Sequence, residues 1–503
     1  MLKCANIFSD YMVIQRDKNF TIWGWANYND TISVTIDSTS VEATVDRNNK
    51  WSIVLPPMSA LDCTCMTIKN STTDETITFN DIAIGEVWLA GGQSNMEFEL
   101  QNSTNATHEL NVCHSVKVRS YNVQRIPVVD DYFYAMENSN QWQLPNSENC
   151  KKWSAVAYYF AKNLSQKLGV TVGIINCNLG GTSGSAWVSR EMLLSNSDTK
   201  VYIDEYENSI RDKSLEQQFK DRLDYLDYVD QWQPKINEFY SKNPNGLWGD
   251  ALAFAGECKY PGPINSFSEF RPCGMYSTMI KRVAPYSIAG FIYYQGESDD
   301  HRPNTYYTLL NEVILQWRSD WNDYTLPFLI VQLPLHMERG DVDRKHWCPI
   351  RKAQFDVHKT VKNTGLAVIL ECGEYGNIHP LNKEPVGYRL YLQALYHVYG
   401  LESADTVYGA MFSHYAIKDG GIYVYFDYAN GGFEVTNSLD WFELSEDGVN
   451  YYSANATILQ DNSIFLKCNE LKHPIHARYL WTNYTTVSLY TKRNSIPVAP
   501  FDF

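Results

Sequence analysis

The sequence predicts an α/β protein whose parallel sheet, with helices on both faces, is flanked by a β domain at each end. Three observations carry this. From residue 81 onward, apolar runs of strand length alternate with segments of helical spacing. Before that point, and again after residue 405, only short β-branched and aromatic runs occur, separated by turn residues. Several apolar runs in the middle of the chain end in glycine-bearing segments, where such sheets bind their ligands. The predicted domains are a small β-sandwich at 1–80, an α/β domain at 81–405 and a second β domain at 406–503.

In the first unit, residues 12–14, 20–23, 32–36 and 51–55 read as strands, broken by Asn27-Tyr28-Asn29-Asp30 and by Pro56-Pro57. At residues 87–90 an apolar run reads as a buried strand that Gly91 and Gly92 interrupt just before Ser94. Helical spacing at 155–168 precedes a strand at 170–176 and the loop Leu179-Gly180-Gly181-Thr182-Ser183-Gly184. Further strands are expected at 288–294, 327–333 and 366–370, with helices at 306–321, 350–361 and 386–399. The alternation stops at 195–272, which reads as an insertion: helical over 201–240, loop-like over 242–272, and placed to form a wall of a site or a peripheral subdomain. The last unit shows strands at 421–426, 441–444, 463–466 and 477–481, for which structural support is expected rather than sugar binding.

Composition excludes several function classes. A chain of 503 residues that is 44% hydrophobic can bury more than one core, and its net charge of −16 repels nucleic acid and anionic membranes. The eleven cysteines are scattered without a Cys-x-x-Cys pair, so reduced thiols are expected, with no disulfide framework or zinc site. The opening Met-Leu-Lys-Cys-Ala-Asn looks unlike a signal peptide and no run is long and apolar enough to span a bilayer, so a cytoplasmic location is expected.

A serine at the mouth of a strand-to-turn junction lies beside unpaired backbone N–H groups, the setting an acyl-transfer nucleophile and its oxyanion require. The alternative for Ser94 is a helix cap beside two turn glycines. Two further predicted strand ends supply partners: Gln295-Gly296-Glu297-Ser298, with an amide and a carboxylate, and the stretch from Glu371 to Pro380, with His379.

Together, Gly92-Gln93-Ser94-Asn95-Met96, Gly180-Gly181-Thr182, Tyr294-Gln295-Gly296-Glu297-Ser298 and Ile378-His379-Pro380-Leu381-Asn382-Lys383 resemble the sialate O-acetylesterase family of SGNH hydrolases. Residues 8–16, the stretch Arg478-Tyr479-Leu480-Trp481 and the tail at 497–503 extend the resemblance to both ends, outside the insertion. The resemblance implies an SGNH, flavodoxin-like sheet and hydrolysis of acetyl esters on sugars through an acetyl-enzyme on Ser94. His379 would act as base and then acid, without metal or organic cofactor. Gln93, Gly180, Gly181 and Gln295 are the implied oxyanion and substrate-binding residues, with the Ser94 N–H. Many SGNH hydrolases carry an aspartate three residues before the histidine; here Gly376 stands there, so Glu297 is the expected acidic member, with Glu374 and Glu371 as rivals. Alternatives to a sialate substrate are acetylated xylan or another plant oligosaccharide, or a site that has lost catalysis and only binds sugar. The sugar, the acetylated hydroxyl and the oligomeric state stay open.

Overall fold

A computed structural model describes residues 1–244 and 246–503. Its organising element is one 17-residue strand, β1 (Thr76–Gly92). The first six residues of β1 are alternately exposed and half-buried, and everything from Ile82 onward is buried. Two environments explain this. The first half pairs antiparallel with Leu61–Asn70 in the N-terminal β unit, where one face meets solvent; the second half lies in a parallel sheet covered on both faces. Asp81 sits at the change with φ 49°, and the buried Arg119 guanidinium ties down its carbonyl and carboxylate. The boundary expected at residues 80/81 therefore lies inside a continuous strand. The sequence reading starts this strand at residue 87 because Thr76 to Asp81 alternate with polar residues.

The other strands of the parallel sheet are β2 (Val118–Asn122), β3 (Val172–Asn178), β4 (Gly290–Tyr294), β5 (Phe328–Gln332) and β6 (Thr364–Val368). Their order is β2-β3-β1-β4-β5-β6, every neighbouring pair parallel. After β1 the chain builds two strands on one side, then crosses to the other for β4. This reversal flanks β1, and the crevice beyond its carboxyl end is where an open α/β sheet binds ligands. Helices α1 (Ala155–Leu168) and α6 (Glu384–His397) pack against each other and cover one face, where Trp88 meets Phe160 edge-on. Helices α4 (Tyr306–Asp320) and α5 (Trp347–Thr360) pair on the other, where Trp317 packs on Phe291, Tyr293 and Phe328. Successive β1 residues thus face opposite helical layers, as strand geometry requires.

The N-terminal unit joins this sheet through the stretch at residues 8–16. Val13–Gln15 pairs parallel with residues 83–85, Gln15 Oε1 accepts from the Val87 N–H, and Arg16 and Gln15 both donate to the buried Glu86. The C-terminal unit is built from two four-stranded sheets and one two-stranded sheet. Its Asn483 accepts from the His336 and Trp347 backbone N–H groups, bracing the loop between β5 and α5.

The insertion holds α2 (Ser197–Ile210), α3 (Leu215–Lys242) and a shorter helix, Trp248–Ala255. The last of these falls in the stretch expected to be loop. All eleven cysteines are free thiols.

Candidate active site

The carboxyl ends of β1, β3 and β4 and the loop after β6 surround a cavity of about 1020 Å³. Ser94, Gln93, Gly180, Gly181, Glu297 and His379 all line it. The path into Ser94 needs glycine: Gly92 has φ 134°, and a Cβ there would meet the Tyr294 carbonyl oxygen at 2.1 Å. The turn is fastened on both sides, by Gln93 N–H to the Tyr294 carbonyl (3.1 Å) and Leu179 N–H to the Gly92 carbonyl (3.2 Å). Ser94 then opens the one-turn helix Ser94–Glu97. Its N–H has no hydrogen-bond acceptor among the described residues, as expected for the first turn of a helix.

Gly180 lies against the nucleophile; a Cβ on it would be 3.2 Å from Ser94 Cβ. Its N–H is already committed to the Glu97 carboxylate, whose other oxygen is 3.2 Å from Arg125. The neighbouring Gly181 N–H has no acceptor among the described residues. Gly181 has φ 74°, and a Cβ there would strike the Tyr260 hydroxyl at 1.9 Å. Gln93 Oε1 accepts from the backbone N–H of Ser298 (3.1 Å) and from Gln295 Nε2 (3.2 Å), which turns the Gln93 amino group away from these partners.

Gln295 requires a correction. It is 1% exposed and does not line the cavity. Its Nε2 is spent on Asp299 Oδ2 (2.6 Å), Gln93 Oε1 and the Thr182 carbonyl (each 3.2 Å). The side chain joins strand ends instead of reaching an oxyanion. Asp299 is the hub it serves: fully buried, it also accepts from Ser183 Oγ (2.5 Å), Gly184 N–H (2.9 Å) and the Tyr202 hydroxyl (3.1 Å), tying the glycine loop to the insertion.

His379 stands on a loop shaped by a carboxylate. Glu374 accepts from Asn377 Nδ2 (2.7 Å) and the Leu381 N–H (2.9 Å), and Asn377 Oδ1 accepts from the His379 N–H (3.1 Å). Burial pushes the imidazole pKa down to about 4, assisted by Lys383 and His336 and opposed by Glu338, so the ring is neutral at neutral pH. Ser94 and His379 share the cavity without a mutual hydrogen bond, and no carboxylate among the described residues bonds the His379 ring.

The hydrogen bond expected from Glu297 to His379 is therefore not formed, nor is one from Glu374 or from Glu371, which pairs with Arg389. Glu297 Oε1 instead accepts from Asn95 Nδ2 at 2.6 Å, and its Oε2 is buried without a partner. Burial pushes the Glu297 carboxyl pKa up, the Asn95 bond working against it. Asn95 also donates to the Ile378 carbonyl (3.0 Å) and accepts from the buried Lys383 ammonium, whose pKa burial pushes down to about 7. One amide next to Ser94 thus holds Glu297, Lys383 and the residue before His379. Asn95, Lys383 and Asp299 carry no signal of their own in composition or spacing. Only the first two lie within motifs quoted above. Among the described residues no group of three or more His, Cys, Asp or Glu side chains is placed to hold a metal ion.

The insertion forms the facing wall, with Tyr202, Glu205, Tyr206 and Ser209 from Ser197–Ile210, and Tyr260 and Phe270 from the loop beyond.

The chain is similar to known proteins over nearly its whole length. Residues 263–371, which include Gln295 and Glu297, match the family model for carbohydrate esterases described as sialic acid-specific acetylesterase. The chain is 24% identical to the sialate O-acetylesterase of Mus musculus over 545 residues, covering 99% of this chain and 93% of that protein. It is 25% identical to that of Homo sapiens over 435 residues, covering 79% and 71%. Among solved structures it is similar to a carbohydrate acetylesterase from Xanthomonas citri, with TM-score 0.77, 23% identity and coverage of 100% of this chain and 99% of the other.

Proposed function

We infer that this chain, a carbohydrate O-acetylesterase similar to the sialate O-acetylesterases over nearly its whole length, works through a serine acetyl-enzyme on Ser94, on a sheet of the SGNH hydrolase kind. The observation that carries the reading is the convergence of Ser94, Gly181 and His379 on one cavity at the switch point of the sheet. Ser94 Oγ attacks the acetyl carbonyl while its proton passes to His379, which is neutral and so able to accept it. The oxyanion forms beside the Ser94 and Gly181 N–H groups, with the Gln93 amino group as a third donor in place of Gln295. Collapse breaks the bond to the sugar oxygen, which takes the proton from His379. Water, deprotonated by His379, then cleaves the acetyl-enzyme to acetate and free Ser94.

An imidazole that takes up a proton only near pH 4 is a weak base, so its protonated form needs support in the transition state. Glu297 Oε2, buried and without a donor, is the acceptor we assign to the far ring nitrogen of His379 once substrate is bound. Catalytic hydrogen bonds that are long or unformed in a free enzyme commonly tighten in the complex. The test is acetate release from acetylated sugars and hydrolysis of 4-nitrophenyl acetate by the parent and by Ser94→Ala. Loss of both activities in a folded variant is expected; near-parental activity would remove Ser94 from the mechanism.

A further inference from the structure

We propose that the wall supplied by the insertion selects an uncharged O-acetylated oligosaccharide and rejects a carboxylate-bearing sugar such as a sialate. This deepens the esterase reading and rests on it. The titratable side chains of Asp, Glu and His lining the cavity are Glu205, Glu297, Asp300, His301 and His379; among the described residues no lysine or arginine lines it.

Several cations near the lining are held by other groups. Arg302 pairs with Glu205 and lies 5.8 Å from the Tyr202 ring centroid. Lys383 is buried against Asn95, and Arg125 is held by Glu97 and by the carbonyl and side chain of Asn178. An anionic sugar entering this cavity would meet like charge without a fork to receive its carboxylate, and such juxtapositions select strongly against a ligand.

The rest of the wall suits a neutral sugar. Tyr206, Tyr260 and Phe270 line it with aromatic rings of the kind pyranose faces pack on, and the Ser183 and Ser209 hydroxyls, which donate to Asp299 and to the Ile264 carbonyl, can still accept from hydroxyls of the ligand. The cavity, about 1020 Å³, is far larger than an acetyl group requires and matches the upper range of pockets that enclose drug-sized ligands. Glu205 is the specificity-determining residue in this arrangement: it holds the Arg302 guanidinium, next to the lining residue His301, in an ion pair, so that this cation is not free to receive an anionic ligand.

The experiment compares kcat/KM for acetate release from O-acetylated xylo-oligosaccharides and from 9-O-acetyl-N-acetylneuraminic acid, using the full chain and Glu205→Gln, with 4-nitrophenyl acetate as an uncharged reference. The parent is expected to prefer the neutral sugar by about tenfold or more. Glu205→Gln, which frees Arg302, should raise the ratio of the sialate value to the xylo-oligosaccharide value severalfold. Xylotriose should inhibit 4-nitrophenyl acetate hydrolysis more strongly than free N-acetylneuraminic acid, a readout that does not depend on the variant. A parent that hydrolyses 4-nitrophenyl acetate but prefers the sialate, or turns over neither sugar, overturns this proposal alone. A parent without activity on 4-nitrophenyl acetate overturns the esterase reading and the proposal with it.

Discussion

Lys383→Met cuts the bracing of the site at a point that touches no substrate. The ammonium is 1% exposed and donates to Asn95 Oδ1, while the same Asn95 side chain holds Glu297 Oε1 at 2.6 Å and the Ile378 carbonyl at 3.0 Å. Methionine keeps most of the stem volume and sets a thioether near the Phe98 and Tyr294 rings, over which the Lys383 Nζ lies at 4.8 and 5.7 Å, so volume is kept while the cation–π attraction is lost. Asn95 Oδ1 is left without its donor in a buried place, which costs about 1–3 kcal/mol of stability. The kinetic loss should be larger, because Asn95 adjoins Ser94 and Ile378 adjoins His379, and a misplacement of about 1 Å costs on the order of a hundredfold in rate. The assay is urea unfolding beside steady-state hydrolysis of 4-nitrophenyl acetate across pH. The parent should show an alkaline limb near pH 7, where the ammonium beside Glu297 loses its charge, and the variant should lack it. Lysine restored by arginine should recover only part of the rate, since a planar fork does not match a point charge. A stably folded Lys383→Met with kcat/KM within about twofold of the parent would refute the positioning role.

Two further outcomes follow from the acid–base groups. Glu297→Gln should lower kcat by about a hundredfold or more with KM little changed, whereas Glu338→Gln, whose carboxylate His336 already holds below the usual range by a hydrogen bond, should cost only a few-fold; the reverse order would transfer the acidic role to Glu338. Falling pH protonates His379, so kcat/KM, which reports the free enzyme, should hold until well below the ordinary 6.5 and fail toward about 4. The acid limb of kcat should lie higher if Glu297 engages the imidazole in the complex, and coincident limbs would contradict that engagement.

Much of this architecture is legible in the chain because burial writes itself into composition. The largely apolar runs at β3, β4, β5, β6 and the second half of β1 are strands buried on both faces, and such strands lose the polar alternation of a one-sided sheet. Strand β2 escapes notice because it buries Arg119 and Ser120, residues that belong inside only because the guanidinium has Asp81 and the Tyr11 carbonyl to bond. The site divides the same way. Ser94, His379 and Glu297 reach one cavity because strand ends in a parallel sheet lie at one edge, which chain order alone implies. Where Gln295 points is decided by Asp299, Gln93 and Thr182, three acceptors brought together only in space. For the same reason nothing in Ile378-His379-Pro380-Leu381-Asn382-Lys383 marks its lysine as buried, although Asn95 makes that burial tolerable.

The proposed mechanism runs through a covalent acetyl-enzyme on Ser94. A serine-directed organophosphonate, followed by intact-mass analysis and peptide mapping, tests it most directly. One adduct per chain is expected, on Ser94, formed in step with the loss of esterase activity and absent from Ser94→Ala. Inactivation with the adduct on another residue, or full activity after complete labelling of Ser94, would contradict it.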